Sequence, residues 1–328
     1  MDYYDLYWST YMSSGNPLLG IHHITALASD PQRNIDFYVK TLGLRLVKQT
    51  VNYDEPGTYH FYFGDTAGSP GTILTFFPFP DASRGKPGRG QITAVMYAIA
   101  PESISFWVDR LSRAGISFDG PSVRFDEEVI AFDDPDGMRI ELVANKSTTL
   151  RPSFESIFVP AEHTLRGFYG VTLASLRLQS TQKLLAGTME LNRVAEANER
   201  LRLSVGSGES RAVVDLDLRE NISPGVSSAG SVHHIAWRVE NDTSQIEWRE
   251  KIRLEGINVT PVIDRNYFHS IYYREPGGVL YEIATDPPGF GVDESPDQLG
   301  HKLQLPPWME PDRERIARRL PPIVIPKA

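Results

Sequence analysis

Two adjacent histidine pairs occupy near-identical settings, Ile21-His22-His23-Ile24 and Val232-His233-His234-Ile235, and two glutamates follow in matching positions, Arg139-Ile140-Glu141-Leu142 and Leu280-Tyr281-Glu282-Ile283. Two imidazoles and one carboxylate around open coordination positions form the facial triad that suits Fe(II) and leaves room for a substrate and O2. Mn(II) is the alternative ion. The chain has no cysteine. That removes thiolate metal sites, cysteine nucleophiles and disulfides together, and it leaves a closed zinc site without its usual sulfur ligands.

Successive strand residues face opposite sides, so only one member of each His pair can point into a barrel. In the first pair Ile24, Ala26 and Ala28 share the apolar face and leave His23 and Thr25 on the other. In the second, Ile235, Trp237 and Val239 form the stripe and leave His234 opposite. His23 and His234 are therefore the expected ligands.

The elements that carry them repeat. Leu111-Ser112-Arg113-Ala114-Gly115-Ile116 matches Ile252-Arg253-Leu254-Glu255-Gly256-Ile257 as a helix end stopped by glycine, and Asp134-Pro135-Asp136-Gly137 matches Glu275-Pro276-Gly277-Gly278 as a hairpin turn. The spacing from the helix-ending glycine to the glutamate is the same in both copies. Four units of strand, helix and about three strands are expected, over roughly 20–80, 91–146, 166–220 and 231–285. Asp30-Pro31 opens the first helix, Ile104, Trp107, Val108 and Leu111 make the buried face of the second, and Asp242/Thr243 open the fourth. In the third unit, strands are expected at Tyr169–Arg177, Arg200–Val205 and Ala212–Leu218. Counting ligands then selects a pairing. Units one and two together offer only His23 and Glu141, and units three and four only His234 and Glu282. Units one and four offer His23, His234 and Glu282, which leaves Glu141 as a solvated or structural carboxylate.

The bulk properties restrict the partners. A chain of 328 residues with 41% hydrophobic and 23% charged residues can bury one large or two ordinary cores. The net charge of -9 is spread along the chain without a Lys/Arg-rich run, which argues against nucleic acid. Met1–Asn16 lacks the basic and apolar segments of a signal peptide, and no apolar run approaches the roughly 20 residues that cross a bilayer. A cytoplasmic protein with no membrane partner is expected. Self-association into a homo-oligomer is left open.

A histidine in a first strand, a glutamate after a Pro-Gly turn and paired units resemble the vicinal oxygen chelate superfamily over residues 18–285. His22-His23-Ile24-Thr25, the second His-His-Ile and the run Asp264-Arg265-Asn266-Tyr267-Phe268-His269-Ser270-Ile271-Tyr272-Tyr273-Arg274-Glu275-Pro276-Gly277-Gly278 resemble hydroquinone-cleaving and related ring-cleaving dioxygenases. The resemblance implies an α+β fold of four βαβββ units in two domains with mixed curved sheets: 18–146, a linker at 147–165, 166–286, and a Pro-rich tail at 287–328 with a short helix near Pro311–Leu320. It implies Fe(II) on His23, His234 and Glu282, with His22, Thr25, His233, Arg265 and Tyr272 as the polar shell. Strand alternation instead turns His22 and His233 away from the iron, which leaves two alternatives, the pocket edge or a satisfied polar place at a strand end.

The implied reaction inserts O2 beside a hydroxylated carbon of a small aromatic 1,4-dihydroxybenzene and opens the ring to an acyl or semialdehyde muconate. Tyr272, His269 and His233 have the chemistry to move protons, and Arg265 to orient an anionic oxygen. His60 is expected in the core or at the rim. Phe76, Phe77 and Phe79 are candidates for an aromatic lining, with plain core as the default. Competing readings are a catechol extradiol dioxygenase, a glyoxalase-like isomerase with a fourth protein ligand, and a metal-free binding protein on the same fold.

Overall fold

The repeat resolves into four copies of strand, helix and three strands. The computed structural model describes residues 15–147 and 151–326. The first fourteen residues, most of the stretch expected not to be a signal peptide, lie outside that range. Unit one holds β1 (Ile21–Ala28), a helix at Pro31–Asp36 that continues as a π-helical turn, β2 (Arg45–Val51), β3 (Tyr59–Gly64) and β4 (Ile73–Pro78). Unit two holds β5 (Gln91–Ile99), a helix at Ile104–Arg113, β6 (Phe118–Arg124), β7 (Glu127–Asp133) and β8 (Arg139–Ala144). Unit three holds β9 (Phe168–Ala174), a helix at Leu178–Lys183, β10 (Asn192–Ala197), β11 (Arg200–Val205) and β12 (Ala212–Asp217). Unit four holds β13 (Val232–Val239), a helix at Asp242–Leu254, β14 (Ile263–Asp264), β15 (Phe268–Arg274) and β16 (Leu280–Pro288).

Local chemistry sets these boundaries. The Asp30 side chain accepts from the Arg33 amide at 2.8 Å ahead of Pro31, and Asn241 caps the fourth helix through the Ser244 amide at 3.1 Å. The second helix buries Trp107 and Leu111. Gly115 and Gly256 end their helices at φ +68 and +77, where a side chain would be strained.

The strands form two eight-stranded mixed sheets, ordered β14-β15-β16-β13-β1-β4-β3-β2 and β10-β11-β12-β9-β5-β8-β7-β6. Each sheet takes one unit from either half of the chain: units four and one make the first, units three and two the second. The division of the sequence at 147–165 thus does not separate the sheets. In both, first strands of two units pair antiparallel at the centre, β1 with β13 and β5 with β9. The helix-facing sides carry the core, including the fully buried Trp107, Trp237, Trp248 and Tyr38.

The tail packs on the first sheet. Lys48 on β2 is fully buried and lies 2.5 Å from both Asp293 and Glu294, so its charge is matched inside the protein. The tail's helix is shorter than expected, Arg313–Ala317. Among the described residues no helix is long and apolar enough to cross a membrane.

Candidate metal centre and substrate cavity

His23, His234 and Glu282 come from β1, β13 and β16, three adjacent strands of the first sheet. One ligand atom from each lies within 4.8 Å of the others, and all three residues are buried. Glu282 Oε2 is 2.9 Å from His234 Nε2 and 3.3 Å from His23 Nε2, yet it makes no hydrogen bond. A buried carboxylate oxygen facing two ring nitrogens without a shared proton is costly unless a cation completes it. The donor set fits one metal ion with vacant positions. Among the described residues this cluster has three members, without the fourth ligand of the isomerase reading.

The other carboxylate oxygen is fixed. Ser270 Oγ donates to Glu282 Oε1 at 2.5 Å, with both residues at 0% exposure. Burial pushes the Glu282 carboxyl upward, but His23 and His234 overrule it and hold it well below its usual range. Burial lowers His234, against the pull of Glu282. Glu282 is thus favoured as a carboxylate and His234 as a neutral imidazole, the forms that bind metal.

The preceding histidines contact the ligands from behind, which simple alternation does not foresee. His22 Nδ1 lies 3.0 Å from His23 Nδ1, and His233 Nδ1 lies 2.8 Å from His234 Nδ1. The pairing register supplies the reason. Between Ile21↔Trp237 and His23↔Ala236, β1 carries one extra residue, His22; between Thr25↔His234 and Ala26↔Val232, β13 carries one extra, His233. Each His pair straddles a β-bulge, which suspends alternation and bends the strand. His22 is buried, and His233 is exposed where the cavity opens.

A cavity of about 380 Å³ lies against the ligands. His23, His234, Thr25, His233, Arg265 and Tyr272 line it, with Leu27, Phe77, Phe79, Phe268 and Leu280 supplying apolar walls. Arg265 Nε donates to Tyr272 Oη at 3.2 Å, and its guanidinium stands 5.2 Å from the Tyr272 ring centre. Burial and the Glu282 charge push the Tyr272 phenol above its ordinary value.

His269, expected from sequence to move protons, is not among the lining residues. It shares the face of β15 that carries Ile271 and Tyr273 into the helix-side core, while Phe268, Ser270 and Tyr272 face the cavity or its ligands. Its Nδ1 lies 2.6 Å from Asp242 at the start of the fourth helix. Phe76 is core, as Phe77 and Phe79 are not. Asn52, Tyr53, Asp54 and Tyr62 also line the cavity and were outside the sequence reading. Alternation in Tyr59-His60-Phe61-Tyr62-Phe63 was the available signal, since it sets His60 and Tyr62 on one face.

The second sheet keeps the frame without the centre. Its bulges fall at Thr93 and Tyr169. By register, Gly170 and Ala94 stand where the first sheet has His23 and His234. A Cβ at Gly170 would meet the Val213 carbonyl oxygen at 2.1 Å. Glu141, matched to Glu282, pairs with Arg124 through both carboxylate oxygens, and Arg202 bridges Asp215 and Glu127 at 2.7 Å each. Salt bridges fill the space that the cavity occupies in the first sheet.

The sequence pattern of the Glyoxalase/Bleomycin resistance protein/Dioxygenase superfamily matches residues 20–142 and 187–283. The chain belongs to this superfamily. Within it, the chain is 44% identical over 94% of its length to a Bacillus subtilis (strain 168) protein named "Putative ring-cleaving dioxygenase MhqO", 97% of which is covered. It is 35% identical over 93% of its length to the chlorohydroquinone/hydroquinone 1,2-dioxygenase of Sphingobium indicum, covering 97% of that protein. The crystal structure titled as a "putative dioxygenase" from Bacillus subtilis superposes with a TM-score of 0.91 at 42% identity, over 96% of this chain and 100% of that one. The superfamily's paired-unit architecture accounts for both sheets, of which one carries the centre.

Proposed function

We propose that this protein is a ring-cleaving dioxygenase that uses Fe(II), held by His23, His234 and Glu282, to open hydroquinone-type rings with O2. The observation that carries the reading is the orphaned Glu282 Oε2 facing two imidazole nitrogens at the wall of an aromatic-lined cavity. The full-length relatives named as ring-cleaving dioxygenases support the reaction class, and one of them is named for hydroquinone. When bound, a redox-active cation with open positions supplies a path for charge between an ionised ring oxygen and O2.

The chain's own residues do the rest. The Phe77, Phe79, Phe268, Leu27 and Leu280 walls take a ring by its apolar surfaces. With His23 and His234 presenting Nε2 to a cation, each carries its proton on Nδ1 and donates it to His22 or His233. His233 is thereby left with a proton on Nε2. Tyr272 Oη, gripped by Arg265, is the group placed to give and take a proton at the ring oxygen. The stoichiometry closes without an external reductant. One ring and one O2 are consumed, the bond between a hydroxylated carbon and its neighbour breaks, and the two oxygen atoms finish on those carbons as a carboxyl and an aldehyde.

Anaerobic reconstitution with Fe(II), followed by oxygen uptake against a panel of hydroquinones and catechols, tests the reading. Uptake with hydroquinones and a product heavier by two oxygen atoms is expected. No uptake with any member refutes the enzyme reading; uptake confined to catechols refutes the substrate class.

A further inference from the structure

Four side chains form a run of hydrogen bonds that ends at the cavity beside the metal ligands. Tyr62 Oη lies 2.9 Å from His60 Nδ1, His60 Nε2 lies 2.8 Å from Thr75 Oγ1, and Thr75 Oγ1 donates to Thr25 Oγ1 at 2.8 Å. The residues sit on β3, β4 and β1, which are neighbours in the sheet. A threonine hydroxyl has a single proton to give. The Thr75 proton goes to Thr25, so Thr75 must accept from His60, and His60 carries its proton on Nε2. His60 Nδ1 is then an acceptor, and Tyr62 donates to it. Every bond runs in one direction, from Tyr62 to Thr25. Thr25 Oγ1 already accepts from Thr75 and keeps its own proton for the cavity it lines.

We infer that Tyr62, His60 and Thr75 are positioning residues whose one-way run of hydrogen bonds fixes the Thr25 hydroxyl as a donor into the substrate cavity, toward the ionised oxygen of a bound ring. The inference rests on the ring-cleavage reading for the identity of that ring. The far end of the run is held in place: Tyr62 is 1% exposed and packs edge-on against Tyr267 and Phe290 at 6.1 and 5.2 Å. The assembly thus orients a donor at its Thr25 end. Burial, followed by the neighbouring His23, lowers His60 well below its ordinary value, so the ring keeps the single proton that this direction demands. Thr75 is at 0% exposure and lies outside the cavity lining, which leaves no water to substitute for its hydroxyl.

The test measures hydroquinone binding to oxygen-free, Mn(II)-loaded protein for the parent, Thr75→Val, Thr25→Val and the double variant, with metal content and melting temperature as controls. Each single change is expected to weaken binding roughly tenfold, as loss of a hydrogen bond to a charged group does. The double variant is expected to bind no more weakly than Thr25→Val alone, because Thr75 acts through Thr25. Thr75→Ser, which retains the hydroxyl, is expected to bind like the parent. Additive losses, or unchanged binding in Thr75→Val, overturn the inference. A second readout needs neither metal nor substrate: nitrogen NMR of His60 is expected to show the Nε2–H tautomer, and the Nδ1–H tautomer overturns the inference. A parent protein that binds no hydroquinone defeats the ring-cleavage reading together with this inference, whereas normal parent binding with additive losses defeats the inference alone.

Discussion

Replacing Ser270 with alanine tests whether the metal centre depends on the hydrogen bond that aims its carboxylate. Ser270 Oγ donates to Glu282 Oε1 at 2.5 Å, and neither residue has solvent access. A hydrogen bond to a charged group contributes about 1.5–3 kcal/mol, which at 1.4 kcal/mol per decade corresponds to roughly 10–100-fold in an equilibrium constant. Partners that orient metal ligands act on affinity over the same range. Ser270→Ala is therefore expected to weaken Mn(II) and Fe(II) binding by roughly 10–100-fold, while Ser270→Thr, which keeps a hydroxyl, recovers most of the loss. Anaerobic competition against a chromophoric chelator reads the dissociation constant, and Mn(II) keeps oxidation out of the measurement. A Ser270→Ala constant within about twofold of the parent, some 0.4 kcal/mol, would refute the view that the carboxylate must be held through Oε1.

Tyr272→Phe is expected to reduce turnover by roughly a hundredfold or more, the scale of a lost proton-transfer group, while His269→Ala stays close to the parent. Oxygen uptake checks both, and a severe loss in His269→Ala would contradict its placement away from the cavity. Asp134 is buried and accepts from Tyr38 and two backbone amides; burial pushes its carboxyl up from 3.8 to about 6. The folded state then holds a proton that the unfolded chain has released, so this group's contribution is present at low pH and is lost as pH rises through the window from about 4 to 6. Asp134→Asn should gain on the parent by on the order of 3 kcal/mol across that window, and parallel denaturation curves at pH 4 and pH 7 would exclude it. Arg124→Met leaves Glu141 buried without its partner, and it is expected to cost about 3–5 kcal/mol of stability with no change in metal content. Chemical denaturation and metal analysis separate those two effects.

Much of the frame was legible because it is written in local rules. Alternation placed Ile24, Ala26 and Ala28 in the core and set His23 and Thr25 opposite, and all of them lie there. Helix ends at Gly115 and Gly256 follow from a residue that tolerates positive φ. Even the pairing of units one and four could be reached by counting ligands, since no other pairing of units assembles two histidines and a glutamate.

What the sequence determined by itself is the set of groups available: four strand-helix-strand units, two His pairs, two matched glutamates and no thiol. What the tertiary structure decided is which of them meet. The bulges at His22 and His233 exist only in the register between two strands far apart in the chain, so alternation along either strand alone turns both rings the wrong way. Glu141 and Glu282 are alike locally, and only the cross-sheet neighbours give one a guanidinium and the other two imidazoles. His269 lies away from the cavity for the same reason. A side chain's face follows from its own strand, but what lies across that face is set by strands that arrive from elsewhere.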